Sequence, residues 1–317
     1  GEDIEKKKLS PLVTKSEYLT RKSQLSSLDA ARVFFPGDEW LSMKLYGNSK
    51  RKEELVCFYL MPFCQKLISK GEIEKFFFLR YADPERHLRL RMKGNTDNIQ
   101  QKVIPKVNRW FKELAQEGML NKAIIDTYSR EVERYGGLEL IELAEDIFYI
   151  DSIFACNLLN KLHKLNMPLE VYITASIINM MEELGVSYQV QKEIFISSFD
   201  KSTHRELFQK YRRKLLNMCN SYGDWKGLKE IEYGHALDSL FNLRQKSLNK
   251  FGNKMRELDN ENKLWNNQVS IILSIIHMHC NRILGSKGKE HVVMATVRHT
   301  LYALEFVKKN QGKIIST

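Results

Sequence analysis

Three stretches of this chain bring together residue types that can do chemistry. The first, residues 76–91, holds Arg80, His87, Arg89 and Arg91. The second is Glu131-Val132-Glu133-Arg134-Tyr135-Gly136-Gly137, and the third is His277-Met278-His279-Cys280-Asn281-Arg282. His87, Arg89 and Arg91 alternate, so a strand would carry them on one face and Leu88, Leu90 and Met92 on the other. A strand with an apolar back and a guanidinium-rich front suits carboxylates and oxyanions, which the planar fork binds through two parallel hydrogen bonds.

Spacing alone leaves Arg89 and Arg91 open between an anion site and a solvated edge strand pairing with acidic neighbours. Arg80 precedes the turn on the paired strand and can complete a cationic pocket. His87 lies beside the turn and reads as an exposed turn residue. Arg134 stands just before a double glycine, which lets the backbone approach a ligand or turn sharply into a helix. A structural pairing of Arg134 with glutamate is equally compatible. A continuous strand would put Glu131 and Arg134 on opposite faces, so both reach one pocket only if a bulge or turn intervenes.

His277 follows the apolar run Ile271-Ile272-Leu273-Ser274-Ile275-Ile276. Helical spacing aligns Ser270, Ser274, His277 and Asn281 on one side, whereas Ile272, Ile275, Ile276 and His279 lean toward another. Such a polar stripe either satisfies a buried hydrogen bond or faces a cleft. His277 and His279 project roughly 200° apart on a helix. No cysteine or carboxylate spacing supports them as ligands, so no metal site is expected. A Gly-rich phosphate loop, a nucleophile elbow and a dinucleotide fingerprint are all missing from the sequence. A nucleotide-driven enzyme is therefore not expected.

The elements that must position these residues follow from the apolar pattern. Trp40–Tyr46 alternates as a strand and breaks at Gly47-Asn48. Lys52–Ile68 has helical spacing, with Pro62 expected to kink or divide it. Phe76–Tyr81 and Leu88–Lys93 form two strands around Asp83-Pro84, a hairpin signal. Ile99–Gln116 is a second helix with an internal Pro105, and Ile124–Arg134 reads as a last strand ending at Gly136-Gly137. The order is β-α-β-β-α-β, the ferredoxin-like split arrangement with two helices on one sheet face. If the leucine face packs on the helices, the arginines lie on the other. Beyond Gly137, helical spacing recurs over Leu138–Lys164, Leu169–Leu184, Gln189–Ser198, His204–Asn220, Ala236–Asn260, Gln268–Leu284 and His291–Lys309. The class is α+β: a ferredoxin-like sheet module over 31–137, then a mainly α-helical array over 138–317, together one domain. Residues 1–30, polar and lysine-rich, read as an arm or linker.

The 317 residues are 43% hydrophobic and carry a net charge of +11, enough chain to bury a sizeable core. The charge favours acidic partners. The lysines are dispersed, however, and neither a zinc-finger nor an RRM signature occurs, so direct nucleic-acid binding is not expected. The five cysteines form no CxxC pair and leave one over, which argues for a reducing, cytoplasmic setting. No apolar run reaches the length of a membrane span, and no signal-peptide pattern opens the chain.

In this order, the three stretches resemble the C-terminal elimination domain of lantibiotic dehydratases of the LanB type. The resemblance also takes in Asp38-Glu39-Trp40-Leu41, Ala144-Glu145 and Asp151-Ser152, and covers roughly residues 34–305. It is specific in the first half and mostly one of pattern between about 160 and 265. It implies that a separate activity esterifies Ser or Thr of a ribosomally synthesised precursor peptide with glutamate from glutamyl-tRNA. This domain then removes the α-proton and expels glutamate, leaving dehydroalanine or dehydrobutyrine, without a cofactor.

On that resemblance Arg91, Arg134 and His277 match elimination residues. The arginines would stabilise a carboxylate or enolate and His277 would move a proton. Arg89, Arg80, Glu131 and Asn281 would contact substrate, with Glu131 a candidate base or orienter. Arg91 and Arg134 are expected to converge from two strands on one anion site, with His277 facing the same cleft from the helical half. The family's large N-terminal glutamylation domain is not in this chain. We expect a stand-alone component of a split dehydratase, with an excised C-terminal domain as the alternative; it would work with a separate glutamylation protein and could form a homodimer. The alternatives are a thiopeptide pyridine synthase, which joins two dehydroalanines in a [4+2] cycloaddition, and a non-catalytic peptide-binding subunit.

Overall fold

The structure is a computed structural model that describes residues 32–198, 203–221 and 225–314. The expected arm over 1–30 lies outside these residues. Four strands form one antiparallel sheet: β2 (Trp40–Tyr46), β3 (Lys75–Tyr81), β4 (His87–Lys93) and β5 (Lys122–Asp126), in the order β3-β4-β2-β5. That is the ferredoxin-like order, with the first and third strands of the module as central neighbours, as expected. A separate two-stranded ribbon pairs β1 (Val33–Phe34) with β6 (Tyr128–Ser129).

The sheet's two faces differ as the alternation of β4 requires. Leu88, Leu90 and Met92 are buried, and Arg89 and Arg91 stay half-exposed. Helix α1 (Met61–Ser69) and helix α2 (Ile104–Gln116) join the same core through Cys64, Leu67, Val107 and Leu114. The Phe63 and Trp110 rings of these two helices stack at 4.4 Å. Both prolines fall where their helix changes type. Each sits at the start of an α-helix directly after a π-helical stretch, Leu55–Leu60 before Pro62 and Ile99–Val103 before Pro105. The wider turn accommodates a residue without an N–H and gives its ring room, so the helix runs on.

The expected last strand, Ile124–Arg134, is broken. β5 ends at Asp126, whose carboxylate accepts the Thr127 N–H, and the chain leaves the sheet to pair with β1. Arg134 therefore sits not on a strand but in a 3₁₀ turn, Glu133–Tyr135. Gly136 follows with φ +93°, where a Cβ would meet Leu140 and Ile271 within 2.8 Å. Of the two roles open to the double glycine, it serves the sharp turn into a helix, pressed against other side chains.

The helical array begins with α3 (Leu138–Leu159), followed by α4 (Leu169–Glu183), α5 (Tyr188–Ser198), α6 (Arg205–Met218), α7 (Gly234–Asn260), α8 (Gln268–Leu284) and α9 (Lys287–Ile314). α3 lies along edge strand β3: the Phe77 and Phe148 rings are 5.4 Å apart, and Ser152 Oγ accepts the Phe78 N–H while donating to the Phe148 carbonyl. Phe76, Phe77 and Phe78 are all fully buried, so β3 packs on both faces. One continuous core runs from Phe34 to Leu304 and joins sheet and helices. Among the described residues no helix is long and apolar enough to cross a membrane.

Candidate active site

A cavity of about 540 Å³ opens where the β3–β4 hairpin meets α8 and α9. Arg80, Tyr81 and Arg86 reach it from the hairpin, Arg134 from the 3₁₀ turn, and His277 and Asn281 from α8. Lys287 and Glu290 complete it from the first turn of α9. Four residues expected at the site from sequence thus line one space, although they come from chain segments far apart. A smaller cavity of about 280 Å³ beside Phe63 and Trp110 is lined by α1 and α2 and includes none of these residues.

His277 has its Nδ1 2.8 Å from the Glu290 Oε1 and is half-buried. A carboxylate on Nδ1 fixes the ring and leaves Nε2 as the nitrogen free to exchange a proton. Nothing in the spacing of the sequence marks Glu290. It meets His277 because Gly285 ends α8 in the left-handed region (φ +59°) and sends α9 back across the cavity mouth. Arg134 donates from Nη1 to Glu131 Oε2 at 2.8 Å and from Nε to Ser274 Oγ at 3.3 Å. The turn required for Glu131 and Arg134 to meet is present and Glu131 orients the arginine, but Glu131 is not itself among the residues lining the cavity. Of the stripe Ser270, Ser274, His277 and Asn281, the last two line the cavity and Ser274 accepts from Arg134, whereas Ser270 is not among the lining residues.

Arg80 and Asn281 fasten the site together. The Asn281 side chain accepts the Arg80 N–H and donates to the Arg80 carbonyl, both at 2.8 Å, so its amide docks α8 on the edge of β3. Arg80 itself donates from Nε to the Arg282 carbonyl and from Nη1 to Glu53, each at 2.8 Å. Both side chains spend hydrogen bonds on this junction, a use the substrate-contact expectation did not include.

Arg91 does not line this cavity. Its guanidinium lies 4.0 Å over the Tyr128 ring and 5.4 Å from the Phe77 centroid, and its buried Nε has no hydrogen-bond partner. Its charge still reaches α8, where it is among those that hold the Arg282 guanidinium below its ordinary range, after burial itself. Arg89 stacks over Tyr81 at 3.5 Å. Arg89 thus covers Tyr81, which lines the cavity together with Arg134, while Arg91 occupies the neighbouring part of the same sheet face.

His87 corrects its expectation. It is 1% exposed, held between the Tyr46 and Tyr81 rings with Nδ1 on the Glu85 carbonyl, and burial lowers its pKa. His279 is fully buried, with Nδ1 2.7 Å from Asp151 and Nε2 2.9 Å from Ser176 Oγ. Asp151 also meets Arg282 at 3.2 Å and Arg244 at 3.6 Å. Burial alone would raise the Asp151 carboxyl, but His279, Arg282 and Arg244 hold it at about 2. Glu145 is equally buried and takes both a bidentate Arg130 fork at 2.7 Å and the Tyr128 hydroxyl at 2.8 Å. Asp151, Ser152 and Glu145 are thus internal braces. Among the described residues no group of three histidine, cysteine or acidic side chains is placed to hold a metal.

Residues 40–302 match the family described as lantibiotic biosynthesis dehydratase C-term. The chain is 30% identical over 298 residues to the subtilin biosynthesis protein SpaB of Bacillus subtilis, which covers 92% of this chain and 28% of that protein. The chain therefore spans little more than a quarter of the length of this curated relative. Among solved structures, it superposes on the tRNA dependent lantibiotic dehydratase MibB from a Microbispora species with a TM-score of 0.80 at 20% identity, over 87% of this chain and 29% of that one. The pyridine synthase TbtD from thiomuracin biosynthesis matches with a TM-score of 0.58 at 11% identity, over 85% of this chain and 100% of that one. At these identities the two superpositions show a shared fold.

Proposed function

This chain belongs to the family of lantibiotic biosynthesis dehydratase C-terminal domains, and we propose that it eliminates glutamate from glutamylated Ser or Thr of a precursor peptide. The carrying observation is that Arg134 and His277 line one cavity, each already oriented by a glutamate. His277 takes the α-proton on Nε2 while Glu290 holds Nδ1. The electron pair left at the α-carbon forms the Cα–Cβ double bond as the Cβ–O bond breaks, and glutamate leaves as its carboxylate. The α-proton beside an amide is weakly acidic, so the transient enolate needs fixed donors near it. Arg134 supplies them at the cavity. Arg91, half-exposed on the neighbouring part of the same sheet face and outside the cavity, holds a substrate carboxylate with Arg89.

The histidine–glutamate pair and the arginine at one cavity favour proton abstraction over a cycloaddition, whose demand is chiefly to align two alkenes. The glutamyl group is supplied by a glutamylation activity that draws on glutamyl-tRNA. Incubation of the chain with a peptide carrying one glutamylserine tests the reading by mass spectrometry. Release of glutamate with formation of dehydroalanine is expected. An unchanged glutamyl peptide, or cyclisation of a bis-dehydroalanine peptide instead, would overturn it.

A further inference from the structure

The half-exposed face of the sheet continues away from the cavity. Directly paired residues point to one side of a sheet, so the register sets Tyr81, His87, Tyr46 and Lys122 in one row across all four strands. Arg89 and Lys44 pair in the next row. The first row is in contact along its length. The Tyr81 and His87 rings lie 5.7 Å apart and His87 and Tyr46 4.8 Å, and the Lys122 ammonium sits 5.1 Å over Tyr46. Arg89 covers Tyr81 at 3.5 Å, and Tyr81 is itself part of the cavity wall. Lys122 is exposed, and Lys44, Tyr46, Tyr81 and Arg89 are half-exposed. Asp126, which pairs with Lys44 at 2.5 Å, is the one carboxylate these rows meet among the described residues.

We propose that this strip binds an acidic segment of the substrate peptide, next to the residue that reacts in the cavity. The occupant is named on the strength of the elimination reading; the surface itself rests on its continuity with the cavity and on its charge. A peptide reacting beside Tyr81 must leave the cavity on one side or the other, and this row, exposed at Lys122 and half-exposed at Tyr46 and Tyr81, borders it. Strands about 4.8 Å apart make the row roughly 14 Å long, which an extended peptide crosses with about four residues. Stacking on Tyr81 and the hydrogen bond from Nε to His87 Nε2 at 3.3 Å hold Arg89 in place, so its remaining N–H groups meet an acidic side chain at little cost in side-chain freedom.

The test is fluorescence anisotropy on the full chain. The probes are labelled decapeptides with an unmodified serine and two aspartates within four residues before or after it, and the same peptides with asparagine. In one of the two placements the aspartate peptide is expected to bind roughly tenfold more tightly at low salt. Lys122→Glu, at an exposed position, should abolish or reverse that preference without changing the circular dichroism spectrum. Equal binding of aspartate and asparagine peptides in both placements would overturn the proposal, as would an unchanged preference in Lys122→Glu. A glutamylserine tripeptide, too short to reach the strip, separates the two ideas. If it is not turned over but the aspartate preference depends on Lys122, elimination fails and the strip stands. If it is turned over and no preference exists, the reverse holds.

Discussion

Glu290 grips His277 at Nδ1, 2.8 Å away, across the turn that joins α8 to α9. The pair is assembled by the packing of two helices, and it explains how a histidine on an isoleucine-rich helix is held at one orientation. Truncation as Glu290→Ala should lower kcat on a glutamylated peptide by about 10–100-fold, the usual cost of losing such a support, while KM changes little. Glu290→Gln, whose amide oxygen still accepts from Nδ1, should recover most of the rate. A KM effect larger than the kcat effect would mean that Glu290 holds substrate and not the ring.

The two histidines of α8 should separate chemistry from stability. His277→Ala should give a folded protein that binds glutamylated peptide and releases little glutamate. His279→Ala removes a buried partner of Asp151 and Ser176, so its cost should fall on stability, about 3 kcal/mol in denaturant unfolding. Any fully folded fraction should retain most of its turnover. Equal activity losses at equal folded fraction would show that the wrong histidine has been chosen.

Arg91→Lys keeps the charge but loses the fork and much of the stacking on Tyr128. A charge-assisted hydrogen bond is worth about 1.5–3 kcal/mol, so kcat/KM should fall roughly 10–100-fold. Wild-type kinetics in this variant would remove Arg91 from the site.

Acid should destabilise the fold in two stages. Burial lowers the pKa of His87, His279 and His299, so below about 6.5 the unfolded chain takes up protons that the folded one refuses. Stability therefore falls as pH drops past that value. Asp151, held at about 2, adds stability that is present above the ordinary carboxylate range and disappears between roughly pH 4 and 2. Urea titrations from pH 8 to 3 should show the midpoint falling first near 6.5 and again below 4. A midpoint flat from 7 to 5 would contradict the buried histidines.

Much of the module was legible because strand alternation and the hairpin are local signals. β4 could be read to within one residue, expected from Leu88 and observed from His87, since Leu88, Leu90 and Met92 demand one face. The end of β5 could not, because Ile124–Arg134 is rich in strand formers throughout. What breaks it is the pairing of Tyr128–Ser129 with Val33–Phe34 some 95 residues away in sequence, which no window reveals. The burial of His87 is hidden for a like reason, since its two tyrosine neighbours lie on other strands. Glu290 was invisible because its meaning depends on the angle between two helices. His277 and Asn281 were legible as polar residues on an apolar helix, but spacing gave no hint that Asn281 is spent on the backbone of Arg80.

The double fastening of α8 has a thermal consequence. Asp151 secures one side of the helix through His279 and Arg282, and Asn281 secures another to the edge of β3. His277 therefore has little freedom to wander while the remainder stays ordered. On heating, glutamate release and far-ultraviolet ellipticity should vanish over the same interval, instead of the enzyme falling silent several degrees before it melts.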